Sequence, residues 1–141
     1  MVTKAYTRAH AKSGLTVQLP KLATFENQFQ GYSITISYPE FTSICPKTSL
    51  PDFGTIHLAY GPRKKCLELK SLKLYMLAYR HMGIFYENVV NRMLQDFVKA
   101  CDPHWMMVKG IFNARGGMVG QAEARFGKIP PEVSASFGLK A

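Results

Sequence analysis

The chain has 141 residues, 47% of them hydrophobic and 19% charged. That fits one domain with enough apolar surface to fold without cross-links, and it excludes a disordered chain. Eighteen Lys and Arg against nine Asp and Glu leave a net charge of +9, which points to an anionic partner: nucleic acid, a phosphorylated cofactor or an acidic surface. No apolar run approaches the ~20 residues that span a bilayer. The N-terminus shows no hydrophobic signal core. The three cysteines, Cys45, Cys66 and Cys101, form no Cys-x-x-Cys pair. No metal site is expected from them, and free thiols in a cytoplasmic protein are.

Lys4, Arg8, Lys12 and Lys21 all precede the first acid, Glu26. Residues 1–24 show little periodicity and read as a flexible basic arm. Tyr32 to Tyr38 alternates apolar and polar residues, the period of a half-buried strand, and Pro39 is expected to end it. A turn-rich loop is expected from Phe41 to Asp52. Phe53 to Tyr60 alternates again and stops at Gly61-Pro62. Cys66 to Leu69 reads as the tail of a short strand. From Ser71 the period becomes helical, with Leu72, Tyr75, Met76 and Tyr79 on one face, Ser71 as N-cap and Gly83 as the stop. A second helix is predicted from Phe85 to Cys101 on the stripe Phe85, Val89, Val90, Met93, Leu94, Phe97 and Val98. Trp105–Asn113 and Met118–Phe126 read as two strands joined at Arg115-Gly116-Gly117, and the residues after Lys128 as a tail.

The order is β-β-α-α-β-β. Short links between sequential strands favour a four-stranded antiparallel sheet with two helices on one face, an α+β domain spanning residues 25–128, followed by a tail over 129–141. Its edge strands need covering, and oligomerisation through them is one solution.

Four segments can carry chemistry. Cys45 is either a small buried hydrophobe or a nucleophile. The polar loop around it, Lys47 beside it and Asp52 seven residues on favour the nucleophile. Asp52 is otherwise a turn residue after Pro51. Lys70, Ser71 and Lys73 stand where the chain enters a helix, a place suited to phosphate or to an ordinary solvated helix start. Glu87 is a carboxylate at a helix start, and it can also accept from two adjacent donors on a purine-type ring edge. Arg115-Gly116-Gly117 can present a guanidinium to phosphate or simply close a hairpin.

In order and spacing, Glu40–Thr48, Pro51-Asp52-Phe53, Glu68–Tyr75, Phe85-Tyr86-Glu87 and Arg115-Gly116-Gly117 together resemble the single-module NADPH-dependent 7-cyano-7-deazaguanine reductases, nitrile reductases of queuosine biosynthesis, a tRNA modification. The resemblance covers about Tyr38 to Gly117. It implies the tunnelling fold, with protomers closing into rings (stacked pentamers) and active sites between subunits. It implies Cys45 as the nucleophile forming a covalent thioimide, and Asp52 as proton donor and acceptor. Glu87, Tyr86, Glu68, Leu69 and Ser71 would bind the 7-deazapurine nitrile. Lys70, Lys73, Tyr75, Arg115 and Gly116 would bind NADPH, two per nitrile reduced to the primary amine. It implies no metal, no membrane and no direct contact with nucleic acid. Many family members carry His before the anchoring Glu, whereas this chain has Tyr86, which does not titrate near neutral pH. Two alternatives remain open: a Cys-thioimide amidinotransferase acting on a nitrile-bearing tRNA base, which has no need of the Glu68–Tyr75 motif, and a non-catalytic basic RNA-binding module, which leaves Cys45, Asp52 and Glu87 without a role. A zinc-dependent cyclohydrolase relative has little support in the Cys and His spacing.

Overall fold

The structure is a computed structural model that describes residues 5–136. Residues 1–4 of the expected arm and 137–141 of the expected tail lie outside that range. Four long strands, β2 (Ile34–Ile44), β3 (Pro51–Gly61), β5 (Trp105–Arg115) and β6 (Met118–Gly127), form one antiparallel sheet in the order β2-β3-β5-β6. A separate two-stranded ribbon pairs β1 (Thr24–Glu26) with β4 (Lys65–Leu67). Helix α2 (Leu69–Leu77) continues into a one-turn 3-10 helix (Ala78–His81), and α3 (Tyr86–Cys101) follows. Two short helices, α1 (Arg8–Lys12) and α4 (Pro131–Ser136), flank this body.

The core lies between the sheet and the two long helices. α3 buries Val89, Val90, Met93, Phe97 and Cys101, the face expected from helical spacing. The inward positions of the strands answer it with Phe41, Ile56, Leu58, Tyr60, Met106, Val108 and Phe112. From the other helical stripe, Tyr75 and Tyr79 are fully buried. The Tyr75 hydroxyl donates to Asp96 (2.6 Å) and shares a hydrogen bond with the Tyr79 hydroxyl (2.9 Å). Burial pushes both phenols up, so they stay neutral.

The local structure departs from the sequence reading in several places. Pro39 does not end the second strand. β2 runs on to Ile44, and the irregularity falls as a register shift between Tyr38 and Phe41. β2 is an edge strand, where a missing N–H and a bulge are tolerated. The expected loop from Phe41 therefore shrinks to residues 45–50, and Cys45 stands at a strand end. The N-cap of α2 is Glu68, not Ser71; the Glu68 carboxylate accepts from the main-chain N–H groups of Lys70 and Ser71. The Ser71 hydroxyl instead bridges, donating to the Glu68 carbonyl and accepting from Ala23 N–H, both at 2.9 Å. Strand β1 escapes prediction because three residues are too few to show a period. The tail contains α4.

The N-terminal segment, expected as a flexible arm, is tied to α3. Asn88 donates to the Ala11 carbonyl (2.7 Å), and the Arg92 guanidinium donates to the carbonyls of Gly14 and Val17. Ser13 donates to the Gly83 carbonyl. Gly14 has φ +81°, and a Cβ there would come within 2.7 Å of the Ile84 side chain, so glycine lets the strand of chain lie close.

Phe97 is fully buried with its ring centre 5.2 Å from that of Tyr75. Phe97→Ala is expected to destabilise the fold by about 3–5 kcal/mol, read as a lower denaturant midpoint at unchanged slope.

Candidate active site

One end of the sheet gathers the candidate residues. Cys45 follows the C-terminal end of β2, Asp52 is the second residue of β3, and Arg115 ends β5. The register sets Ser43 opposite Asp52, so the two side chains share a face. Beside them the segment 82–84 joins the outer edge of β2. Ile44 N–H donates to the Met82 carbonyl and Ile84 N–H to the Ile44 carbonyl, both at 2.9 Å. That link brings the first turn of α3, with Tyr86 and Glu87, next to Cys45. The result is a cleft of about 360 Å³ lined by Tyr6, Cys45, Asp52, Phe85, Tyr86, Glu87 and Arg115. Its size lies at the lower end of the range for small-molecule sites, about 300–1,000 Å³.

The turn after Cys45 creates its electrostatics. Ser49 N–H donates to the Cys45 carbonyl and Cys45 N–H to the Leu50 carbonyl, closing the loop with Ser49 at φ +59°. Burial pushes the Cys45 thiol up. The Thr48 hydroxyl, the main-chain N–H groups of Thr48 and Lys47, and the Arg115 guanidinium outweigh it, and the thiol ends below its ordinary value. Lys47 thus acts on the sulfur through its main chain. Its ammonium lies 5.0 Å from the centre of the Tyr6 ring and donates to the Ala5 carbonyl.

Arg115 also forms an ion pair with Asp52, whose side chain is 5% exposed. Gly116 and Gly117 have φ +59° and +83°, the two-residue turn that a hairpin's twist requires. The ring of Tyr86 stacks on Phe112 with centres 4.2 Å apart and planes 6° from parallel. Its hydroxyl occupies the space that a Cβ at Gly120 would need.

Of the sequence-assigned residues, the cleft unites Cys45, Asp52, Glu87, Tyr86 and Arg115. Gly116 adjoins Arg115 in the turn. The Glu68–Tyr75 segment does not line this cleft. Glu68 and Ser71 are half-buried and occupied with capping, while Leu69 is 62% exposed. Lys70 and Lys73 are exposed, three residues apart on α2 and so on one face. Tyr75, assigned to cofactor binding, is a core residue at 1% exposure with its hydroxyl already engaged. Capping by Glu68 also removes the vacant N–H groups that a phosphate at the start of α2 would use. Sequence reasoning gave no role to Tyr6 or Thr48.

The lowered Cys45 thiol predicts an alkylation rate that rises with pH through a midpoint below that of an ordinary cysteine. Arg115→Met removes a donor to the thiolate and should move the midpoint up. Site-resolved mass spectrometry of alkylated protein across a pH series measures it, and a native midpoint at or above the ordinary value would contradict the geometry. Cys101, buried and pushed up to about 12, serves as the internal control.

The family profile described as QueF-like protein matches residues 51–130. The NADPH-dependent 7-cyano-7-deazaguanine reductase of Elusimicrobium minutum is 52% identical over 124 residues, covering 87% of this chain and 94% of that protein. The reductase of the same name from Chlorobaculum tepidum is 52% identical over 109 residues, 76% of this chain and 93% of its own. That from Chloroherpeton thalassium is 55% identical over 107 residues, 74% and 92%. Among solved structures, the archaeosine synthase QueF-Like in its apo form superposes with a TM-score of 0.64 over 70% of this chain and 96% of that one. At 21% identity this shows the shared tunnelling fold alone. Identity above one half along most of both chains goes further, and this chain belongs to the NADPH-dependent 7-cyano-7-deazaguanine reductase family.

Proposed function

We propose that this chain reduces the nitrile of 7-cyano-7-deazaguanine to the primary amine, 7-aminomethyl-7-deazaguanine, with NADPH, in queuosine biosynthesis. The observation that carries the chemistry is Cys45, whose thiol is lowered by a ring of N–H and O–H donors and stands in one cleft with Asp52 and Glu87. Cys45 is the nucleophile. Its sulfur bonds to the nitrile carbon, one C–N π bond opens, and the thiol proton passes by way of Asp52 to the nitrile nitrogen. The product is a covalent thioimide, with no leaving group. Arg115 holds the Asp52 carboxylate in place. Glu87, exposed at the start of α3, accepts from the N–H edge of the base. Tyr86, braced by Phe112 and Gly120, closes the wall beside it by packing rather than by titrating.

NADPH supplies the two hydrides that take the carbon to the amine. Lys70 and Lys73 suit its phosphates through their ammonium groups alone, since both are exposed on one face of α2. Arg115, at the mouth of the cleft, is the third cation. The Glu68–Tyr75 face and the Cys45 cleft are separate on one protomer. This supports a ring of protomers, with one protomer's α2 completing its neighbour's cleft, as stacked rings in the cytoplasm. The free thiols of Cys45, Cys66 and Cys101 fit that compartment.

An archaeosine synthase shares the fold, so topology alone does not select the reaction; the three reductases at 52–55% identity favour hydride transfer over the amidinotransferase alternative. NADPH consumption, followed by absorbance with 7-cyano-7-deazaguanine added and then omitted, is expected to depend on the base and to approach two NADPH per nitrile. Cys45→Ala should abolish it. Glu87→Ala should raise KM for the base by at least tenfold, and Lys73→Ala should raise KM for NADPH more than for the base. Base-independent oxidation, or native-like turnover by Cys45→Ala, would contradict the proposal.

A further inference from the structure

The cleft has one wall that comes from far away in the chain. Tyr6 lines it together with Cys45 and Glu87, and its ring centre lies 5.3 Å from that of Phe85, the residue just before α3. His10 packs against the ring edge at 6.0 Å, and the Lys47 ammonium stands 5.0 Å from its centre. Lys47 is two residues from Cys45, and Phe85 is two residues from Glu87. Tyr6 therefore touches the neighbours of both groups that the reaction depends on. Lys47 covers one face of the ring, and the residue remains 60% exposed, which leaves the opposite face for a ligand.

Its placement is fixed by the strap that follows it. Thr7 caps α1 with a reciprocal hydrogen bond to His10, its hydroxyl accepting from His10 N–H (3.2 Å) and its own N–H donating to the His10 ring (3.0 Å). Beyond α1, Asn88 and Arg92 clamp the carbonyls of Ala11, Gly14 and Val17. Both clamp residues stand on the helix that carries Glu87, so the strap and the proposed base anchor form one rigid unit. An exposed, pre-positioned aromatic face beside a carboxylate that reads a ring edge is how proteins hold flat heterocycles: hydrogen bonds fix the in-plane direction, and stacking fixes the plane.

We infer that Tyr6 is a substrate-positioning residue whose ring stacks on the heterobicyclic base held by Glu87, with the segment Thr7–Val17 acting as the strap that places it. The inference rests on the proposed base-binding role of the cleft. It concerns affinity for the base and assigns Tyr6 no proton or hydride step.

Steady-state kinetics of Tyr6→Ala, Tyr6→Leu and Tyr6→Phe, together with calorimetric binding of 7-cyano-7-deazaguanine to Cys45→Ala and to Cys45→Ala/Tyr6→Ala, test it. The Ala and Leu variants should raise KM for the base about tenfold, of the order of one lost base–aromatic stack, with kcat within about twofold. Tyr6→Phe should stay within about twofold of the native KM, and melting temperatures should not move. The double variant should bind the base about tenfold more weakly than Cys45→Ala. Unchanged KM and affinity in a protein that turns over the nitrile would overturn the role of Tyr6 while leaving the reductase proposal standing. A fall in kcat, KM and melting temperature shared by all three variants, Phe included, would make Tyr6 structural and also overturn it. A protein with no turnover whose base affinity still depends on Tyr6 would support the positioning role and contradict the reductase. Absence of base binding by Cys45→Ala would overturn both.

Discussion

The contact on which the site depends is the one Arg115 makes in two directions. Its guanidinium pairs with the buried Asp52 carboxylate and also donates to the Cys45 sulfur. Three strands meet through that side chain, because Cys45 follows β2, Asp52 opens β3 and Arg115 ends β5. Burial of the thiol raises it, and the Thr48 hydroxyl and the main-chain N–H groups of Thr48 and Lys47 do most to lower it, with the Arg115 guanidinium adding to them. Pairing with Asp52 at the same time, that guanidinium holds a carboxylate and an ionisable sulfur in one small cleft. The Gly116-Gly117 turn is what allows β5 to end there and β6 to leave at once.

A second constraint separates the two halves of the proposed chemistry. Glu68 spends its carboxylate on the free N–H groups of α2, so the positive end of that helix is neutralised within the chain. The surrounding basic charge resides in the exposed side chains of Lys70 and Lys73 rather than in backbone N–H groups. Tyr75, in the same motif, faces inward and couples α2 to α3 through Asp96. One short segment therefore does two jobs at once: its outer face carries charge and its inner face holds the core. The motif lies away from the Cys45 cleft of its own protomer, which is why an assembly of protomers enters the proposal at all.

Much of this was legible in the residues. The stripes on α2 and α3, the four long strands and the hairpin at Arg115-Gly116-Gly117 follow from periodicity and turn chemistry, because long elements repeat their pattern several times. The cluster of Cys45, Asp52, Tyr86, Glu87 and Arg115 was assembled by resemblance, and the sheet end and the first turn of α3 bring all five to one cleft. What was not legible depended on tertiary contacts. Pro39 reads as a strand end, yet an edge position tolerates it. Ser71 is a good N-cap by type, but Glu68, three residues earlier, caps the N–H groups of Lys70 and Ser71, so the helix starts at Leu69 and Ser71 lies within its first turn. The N-terminal segment has no periodicity because it is held by its carbonyls, which every residue possesses. Only Thr7 and His10, spaced as a reciprocal cap, hinted at order there.

The proposed reaction turns on a bond between the Cys45 sulfur and the nitrile carbon. Intact-mass measurement after mixing the native protein with 7-cyano-7-deazaguanine, with NADPH left out, tests it most directly. The expected result is one adduct per chain, heavier by the whole mass of the base because nothing leaves, located at Cys45, absent from Cys45→Ala and lost when NADPH is added. A protein that turns over the nitrile yet forms no adduct, or forms it at Cys66 or Cys101, would contradict it.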